Sequence, residues 1–262
     1  MMRYLGLLAL KLRLSIATGV QYRSNFLVSG VISILWTVLG LVPLYIAFHG
    51  RPPIAGWSYE RALVVVGWFT LLQGVLDGAV NPSLIQVVDQ IRQGTLDFVL
   101  LKPADAQFLV STARFEVWKF LDAISALVIF TFAFHLIGRA PSPGAVALSL
   151  ALLGGAVTVL YSAWIMIVAA AFWVIRLDNL AYLFDSLFDF ARWPVSIFKG
   201  VFRVIFTFVI PLGVMTTYPA EALLGALSLQ AAALSLAGSV AFAAVARGIW
   251  TRAIARYTSA SS

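Results

Sequence analysis

Cysteine is absent from this chain, and histidine occurs only at His49 and His135. Disulfide frameworks and thiolate metal sites are therefore excluded. His135 has no second histidine near it in sequence and no His-Glu-x-x-His spacing, so a zinc site is not expected. No G-x-x-x-x-G-K-[ST] phosphate loop occurs, so the chain is not an ATPase by that chemistry. No nucleophile–base pair or metal cluster is evident, which disfavours an intramembrane enzyme. The only Asn-x-Ser/Thr match, Asn81-Pro82-Ser83, carries proline in the forbidden middle position. Long polar stretches are missing too. No soluble segment exceeds roughly 35 residues, too few to bury a core of its own.

What is present is apolar. Hydrophobic residues make up 61% of the 262, and the mean hydropathy is +0.96. A water-soluble domain has no means of hiding that much apolar surface. The apolar stretches are about twenty residues long, which matches a helix of 1.5 Å rise crossing roughly 30 Å of hydrocarbon. The chain reads as an all-α, polytopic membrane protein with about six transmembrane helices. These are expected near Phe26 to Phe48, Arg61 to Val80, Phe120 to Gly138, Ala145 to Ile175, Lys199 to Thr217 and Ala222 to Ala246.

The net charge is +7. In a membrane protein such charge belongs to loops and helix ends facing anionic lipid, and nucleic acid is not an expected partner. With both termini inside, the cytoplasmic side holds roughly fifteen of the basic residues and the outer side keeps Arg51, Arg61 and Arg139. That asymmetry is expected to place both termini in the cytoplasm. The protein is expected to be a multi-pass protein of the cell membrane. Trp57 and Tyr59 then fall at the outer interface. The outer turns, His49 to Glu60 and Arg139 to Gly144, are short, and the larger connections, Asn81 to Lys119 and Arg176 to Ser196, are inside. Basic residues Arg3, Lys11, Arg13 and Arg23 are spread along the first two dozen positions, unlike a cleaved signal peptide. Tyr4 to Ile16 alternates apolar and basic residues at helical spacing, so residues 1–25 are expected to form an interfacial amphipathic helix.

Charged and polar groups inside spans are functional suspects. Asp77 is expected about one turn from a cytoplasmic helix end at Asn81. Asp122 lies three residues from Lys119, which can pair with it. Gln73 is nearer mid-depth. Together Gln73, Asp77 and Asp122 are the candidate lining of a translocation path, although shallow acids also fit interfacial roles. Asp178, Tyr182, Asp185 and Asp189 share one helical face, read as solvated at the inner interface. Ser228, Ala232, Ser235 and Ser239 form a small-residue stripe for helix packing. Pro211 and Pro219 bracket irregular backbone that must be protein-buried or wet.

The inner loop after the second span carries the sharpest local signal. Asn81 is placed to cap a helix, with Pro82 at its first position and Gly94 just past its end. Leu84, Ile85, Val88 and Ile91 share its apolar face, and Gln86, Asp89, Gln90 and Gln93 occupy much of the rest. Such a helix fits either a rest on lipid headgroups or a lever docked on another protein.

Three motifs carry a resemblance. Ile91-Arg92-Gln93-Gly94-Thr95-Leu96-Asp97 with Leu100-Leu101-Lys102-Pro103 is the first. The second is Arg192-Trp193-Pro194-Val195-Ser196-Ile197-Phe198, with Trp193 where a smaller residue is usual. The third is Phe206-Thr207-Phe208-Val209-Ile210-Pro211 continuing to Tyr218-Pro219-Ala220-Glu221-Ala222-Leu223-Leu224-Gly225. In this order they resemble ABC-2 type transporter permeases, most of all the viologen-exporter-like branch. The resemblance covers nearly all of residues 1–262 and implies a single permease domain. It implies a non-catalytic subunit of an ATP-driven exporter, paired with a second, identical or related ABC-2 permease. Separate ABC ATPase subunits would bind ATP and Mg, so the chain itself needs no cofactor. Residues 81–105 would hold the coupling helix, with Ile85, Val88, Asp89, Ile91, Arg92, Gln93, Gly94, Thr95, Leu96 and Asp97 meeting the ATPase. The amphipathic N-terminal helix would lie near that contact. An ion-coupled secondary transporter working without an ATPase is the alternative; it calls for coupling residues near mid-depth. The apolar composition fits a hydrophobic or amphiphilic cargo, and the resemblance adds drug-like cations or lipids.

Overall fold

The computed structural model describes residues 2–21, 23–172 and 178–256. Arg176 and Ile175 lie outside the described residues, as do the side chains of Arg3, Arg23, Phe26 and Asp178. The described residues form helices joined by turns and loops, with one isolated bridge between Ile54 and Trp57. Helices α1 (Met2–Gln21) and α2 (Arg23–Phe48) come first. Then α3 (Tyr59–Val75) runs through a π-helical turn (Leu76–Val80) into α4 (Asn81–Arg92). Short α5 (Asp97–Leu100) and α6 (Ala106–Ser111) lead to the long α7 (Phe120–Ile137) and α8 (Pro143–Ala170). After α9 (Asp178–Phe188) come α10 (Gly200–Val204), α11 (Tyr218–Leu223) and α12 (Leu229–Ala255).

Among the described residues, five helices are long and apolar enough to cross a membrane: Val28–Phe48, Tyr59–Arg92, Val117–Ile137, Pro143–Ala170 and Leu229–Ala255. Their termini follow local chemistry. Ser142 and Ser228 cap α8 and α12, accepting from the Ala145 and Ala231 amides at 3.2 Å. Gly138, at φ 75°, ends α7 in the left-handed conformation.

The expected helix break at Asn81 does not exist. Val80 and Asn81 both have right-handed helical dihedrals, and Tyr59–Arg92 is one helix of 34 residues. At 1.5 Å per residue it is about 51 Å long, some 20 Å more than a hydrocarbon core. Pro82 has no N–H and orphans the carbonyl four residues earlier. That carbonyl, Gly78 O, accepts instead from the Glu116 amide at 2.8 Å. The π turn and this foreign donor let a proline sit inside a continuous helix.

The bundle has two distinct ends. One, the loop end, gathers Phe48, Trp57, Ala62 and Leu63 in a buried cluster with Ala220, Leu223 and Leu224. The other is the basic end. Asp77, Lys119, Tyr161 and Arg247 each lie about 18 residues from the loop end of their helices, or roughly 27 Å. Lys119 pairs with Asp77, and both Tyr161 and Arg247 bond Gln107. Four helices thus share one polar level, spaced from the loop end as the two edges of a hydrocarbon slab are.

Close packing inside the slab rests on glycine. A Cβ at Gly74 would lie 2.9 Å from Asp122 Cβ, and one at Gly78 3.0 Å from Lys119 Cβ, so α3 and α7 touch backbone to side chain. Gly155 of α8 faces Ser239 of α12 in the same way, at 2.9 Å. Ala232, Ser235 and Ser239 are buried there, while Ser228 serves as the cap.

The fifth crossing differs from the expected Lys199 to Thr217. Phe184 packs on Trp164 near the basic end, Phe188 on Phe69 about halfway along α3, and Trp193 and Ile197 on the loop-end cluster. The Ser196 hydroxyl accepts from the Trp57 indole at 2.9 Å. Residues 178–197 therefore climb the full bundle, first as α9, then as 3₁₀ turns (Asp189–Arg192, Val195–Ile197) joined by extended Trp193 and Pro194. The larger rise of 3₁₀ and extended backbone lets so few residues span the distance. Of the inner loop expected at Arg176 to Ser196, the described residues 178–196 thus run along the bundle instead. Gly200–Val209 and Gly213–Leu223 are bent 70° against each other. They follow a segment that ends in the loop-end cluster and return to that cluster at Leu223, so the pair is re-entrant. The last span starts at Leu229 rather than Ala222, because Gly225, at φ 70°, separates it from α11.

Candidate functional site

A cavity of about 530 Å3 opens between α2, α3, the start of α7 and the 3₁₀ turn after α9. It collects the three residues expected to line a path. Asp77 stands on the π turn, a local widening that recurs at functional positions. Its carboxylate accepts from the Gln73 amide at 3.0 Å and the Asn81 amide at 3.2 Å, and pairs with Lys119 Nζ at 2.8 Å. Asp122, 3% exposed, accepts from the Ser33 hydroxyl through Oδ1. Its Oδ2 faces Lys119 Nζ at 3.3 Å, an ion pair without hydrogen-bond geometry. One lysine therefore serves two carboxylates from two helices, and it also lies 4.6 Å over the Trp118 ring.

The sequence signalled the Lys119–Asp122 pair through its spacing of three. It gave no sign that Lys119 lies closer to Asp77, or that Ser33 reaches Asp122. Those are contacts between helices far apart in the chain.

A second charged pair was missed. Asp189 and Arg192, expected on the cytoplasmic side, line the same cavity deeper in the slab. Arg192 Nη2 meets Asp189 Oδ1 at 2.6 Å, and its guanidinium lies 4.9 Å over the Phe69 ring. Its Nη1 is 3.6 Å from where a Gly40 Cβ would stand. Phe69 is about ten residues, or roughly 15 Å, from the start of α3, which puts Arg192 at mid-depth. The Asp189 side chain is 59% exposed in the single chain. The acidic stripe is accordingly not one solvated face: Tyr182 is exposed, whereas Asp185 is half-buried with its Oδ1 sealed from solvent.

Beyond the basic end, the protruding α4 and the loop after it form a tip. Ile85, Asp89, Arg92 and Gln93 are exposed; Val88, Ile91, Thr95 and Asp97 are half-buried; Leu96 is fully buried. Val88 and Ile91 pack on the core. Gly94, at φ 67°, turns the chain back, and the Thr95 amide closes on Gln90 O at 2.9 Å. Phe98 and Leu101 protrude, 71% and 81% exposed.

The tip is anchored. Asp105 caps α6, accepting from the Phe108 amide at 3.0 Å, and pairs with Arg247 of α12 at 2.6 Å. The Arg247 guanidinium holds its carboxyl below the usual carboxylate range, against the opposing effect of partial burial. Gln107 and Ser111 bond the Tyr161 hydroxyl of α8 at 2.9 and 2.7 Å. From α1, Lys11 donates to Leu109 O at 2.9 Å and the Tyr4 hydroxyl accepts from the Asp105 amide at 3.1 Å. No group of three or more metal-type ligands occurs among the described residues.

The all-helical fold with five long apolar helices among the described residues defines a multi-pass membrane protein. Residues 34–261 match the family model described as ABC-2 family transporter protein, and the chain belongs to that family. Its members are generally non-catalytic transmembrane components that work with an ATPase partner. No curated protein and no solved structure matches the chain.

Proposed function

We propose that this chain is the permease subunit of an ATP-driven exporter in the cell membrane, its whole length forming one ABC-2 permease domain, viologen-exporter-like in branch. The basic end and both termini face the cytoplasm. The 530 Å3 cavity is one half of a translocation path, completed by a second ABC-2 permease, identical or related. The mid-depth Asp189–Arg192 pair carries this reading. A charge at the bilayer centre costs about 2.5–3.5 kcal/mol on insertion scales. An ion pair with Asp189 so exposed therefore faces water or another subunit rather than acyl chains. Gln73, Asp77 and Asp122 line the inner part of that path, and an amphiphilic cargo suits its mix of Trp36, Phe69 and charge.

ABC ATPase subunits bind the tip, with ATP and Mg in the ATPase. Exposed Ile85, Phe98 and Leu101 are the apolar contact, the charged and polar residues from Asp89 to Asp97 its rim, and buried Leu96 the pivot. Because α4 is continuous with α3, a push on the tip is transmitted along one rigid helix to Asp77. A switch of this kind requires the ATPase to grip its two states unequally. The test is co-purification of the partner ATPase and uphill transport by the reconstituted complex. Leu101→Asp with Ile85→Asp should abolish both, while ATP hydrolysis by the free ATPase persists. Retained association would refute the docking surface. Because the chain has no cysteine, labelling a single cysteine at Phe98 from each side of the membrane tests its orientation cleanly.

The half-buried Lys119 shared by two carboxylates favours a second reading, ion-coupled transport by the chain without an ATPase. Uphill transport by this polypeptide alone under an ion gradient would select it.

A further inference from the structure

A second cavity, of about 650 Å3, lies under α1, between that helix, the start of α2 and residues 113–118. Lys11, Arg114 and the acid Glu116 line it together with the hydroxyl-bearing Ser15, Thr18 and Ser29. Arg114 has Glu116 at 2.6 Å. Lys11 has no carboxylate: its Nζ donates to Leu109 O and to Thr112 Oγ1 at 3.1 Å, and among the described residues no acid pairs with it. Burial, and then the nearby Lys102, push Lys11 below its ordinary value. A part-buried ammonium beside a second cation, with no counter-charge of its own, is an unbalanced electrostatic site that an anion relieves.

The level of the cavity selects the anion. Ser29 is about 19 residues from the loop end of α2, roughly 29 Å, and Trp118 adjoins Lys119 at the shared polar level. The cavity therefore opens at the edge of the hydrocarbon slab, where headgroups lie. Just inside that edge, Val31 and Leu35 of α2 and Phe120 and Ile124 of α7 are exposed and apolar. Polar and cationic above, apolar below, is the profile of a phospholipid lying along the helix. Basic pockets beside membrane helices hold anionic headgroups for the same reason.

We propose that the cavity under α1 is a headgroup site for an anionic phospholipid, with Lys11 and Arg114 meeting its phosphate and the hydroxyls of Ser15, Thr18 and Ser29 around it. The bound lipid holds α1 against the anchored loop at Leu109 and Thr112. This rests on α1 lying at the membrane surface, and not on any ATPase or cargo assignment.

The test is native mass spectrometry of the purified full chain in a zwitterionic detergent. It is titrated with dioleoylphosphatidylglycerol, with dioleoylphosphatidylcholine and, separately, with inorganic phosphate. Phosphatidylglycerol should saturate one site at concentrations where phosphatidylcholine binds weakly or not at all. Arg114→Gln, at an exposed side chain whose loss leaves the Lys11 bonds intact, should weaken that binding about fivefold. Lys11→Gln should weaken it at least as much, and Lys11→Arg should restore it. Equal uptake of the two lipids would overturn the proposal, as would Arg114→Gln and Lys11→Gln proteins that bind like the parent. Protection by inorganic phosphate alone would mark a soluble-anion site and overturn it as well. If the ATPase docking reading fails while these lipid results hold, the two proposals separate.

Discussion

Two crossings carry charge through this bundle, and they are built in opposite ways. The α3–α4 crossing is one unbroken helix of 34 residues, with its acid, Asp77, at the slab edge and neutralised from a neighbouring helix. The 178–197 crossing is broken into an α-helix, two 3₁₀ turns and extended residues, and keeps its pair, Asp189 and Arg192, within itself at mid-depth. A continuous helix satisfies its own backbone and suits the transmission of movement. A broken one leaves backbone groups needing partners, and here they have them. The Thr216 hydroxyl donates to Ala191 O at 2.7 Å and the Thr217 hydroxyl accepts from the Val195 amide at 3.0 Å, both from the re-entrant pair. Irregular backbone in a membrane is tolerated only where protein or water meets it, and here the re-entrant pair meets it.

The comparison breaks most readily at Lys119. Lys119→Met leaves Asp77 and Asp122 without their shared cation and should cost about 3–5 kcal/mol, read as thermal unfolding in detergent. Adding Asp77→Asn and Asp122→Asn should return most of that loss. If Lys119→Met alone is neutral, the site is solvated and α3 is not held there by charge.

A smaller effect tests the glycine seam. Gly74→Ala should destabilise by about 1–3 kcal/mol, because the added methyl collides with Asp122. Gly154→Ala, with nothing within 4 Å, should instead stabilise by about 0.5–1 kcal/mol. Similar unfolding temperatures for the two variants would mean that α3 and α7 do not touch as described.

Arg192→Met probes the broken crossing by function rather than stability. Transport by the reconstituted complex should fall about tenfold, the equivalent of ~1.4 kcal/mol, with expression and unfolding nearly unchanged. Transport at the parent level would remove Arg192 from the path.

The smallest effect is expected at the tip anchor. Arg247→Gln should cost only about 0.2–1 kcal/mol, since the pair is partly exposed. Its pH dependence has a definite sign. Asp105 is held below its unfolded value, so its contribution is present above the usual carboxylate range and is lost as pH falls through the lower folded value. Limited proteolysis of the 93–105 segment against pH should show this loss in the parent chain and not in Asp105→Asn.

Much of the architecture was legible in the sequence, for particular reasons. Apolar runs of about twenty residues gave four of the spans and most of the last, while the caps at Ser142 and Ser228 emerged only in the structure. The apolar period of Leu84, Val88 and Ile91, closed by Gly94, gave the tip. Gln73, Asp77 and Asp122 were singled out as polar groups in apolar runs, and one cavity gathers them. The fifth crossing was not legible, because α9 has only 11 residues and its continuation follows no helical period. Arg192 looked like an interfacial cation for the same reason. Asn81 looked like a cap because Asn-Pro is a strong start signal; the donor that lets the helix continue, Glu116, lies some 35 residues downstream.

Composition and periodicity by themselves determined a membrane-embedded, all-helical chain with a basic end, since burial in hydrocarbon imposes length, apolarity and charge placement on each segment separately. Only the tertiary structure decided which charges meet, which segment makes the fifth crossing and where the cavities open. Those depend on contacts between residues distant in the chain, and a local pattern carries no record of them.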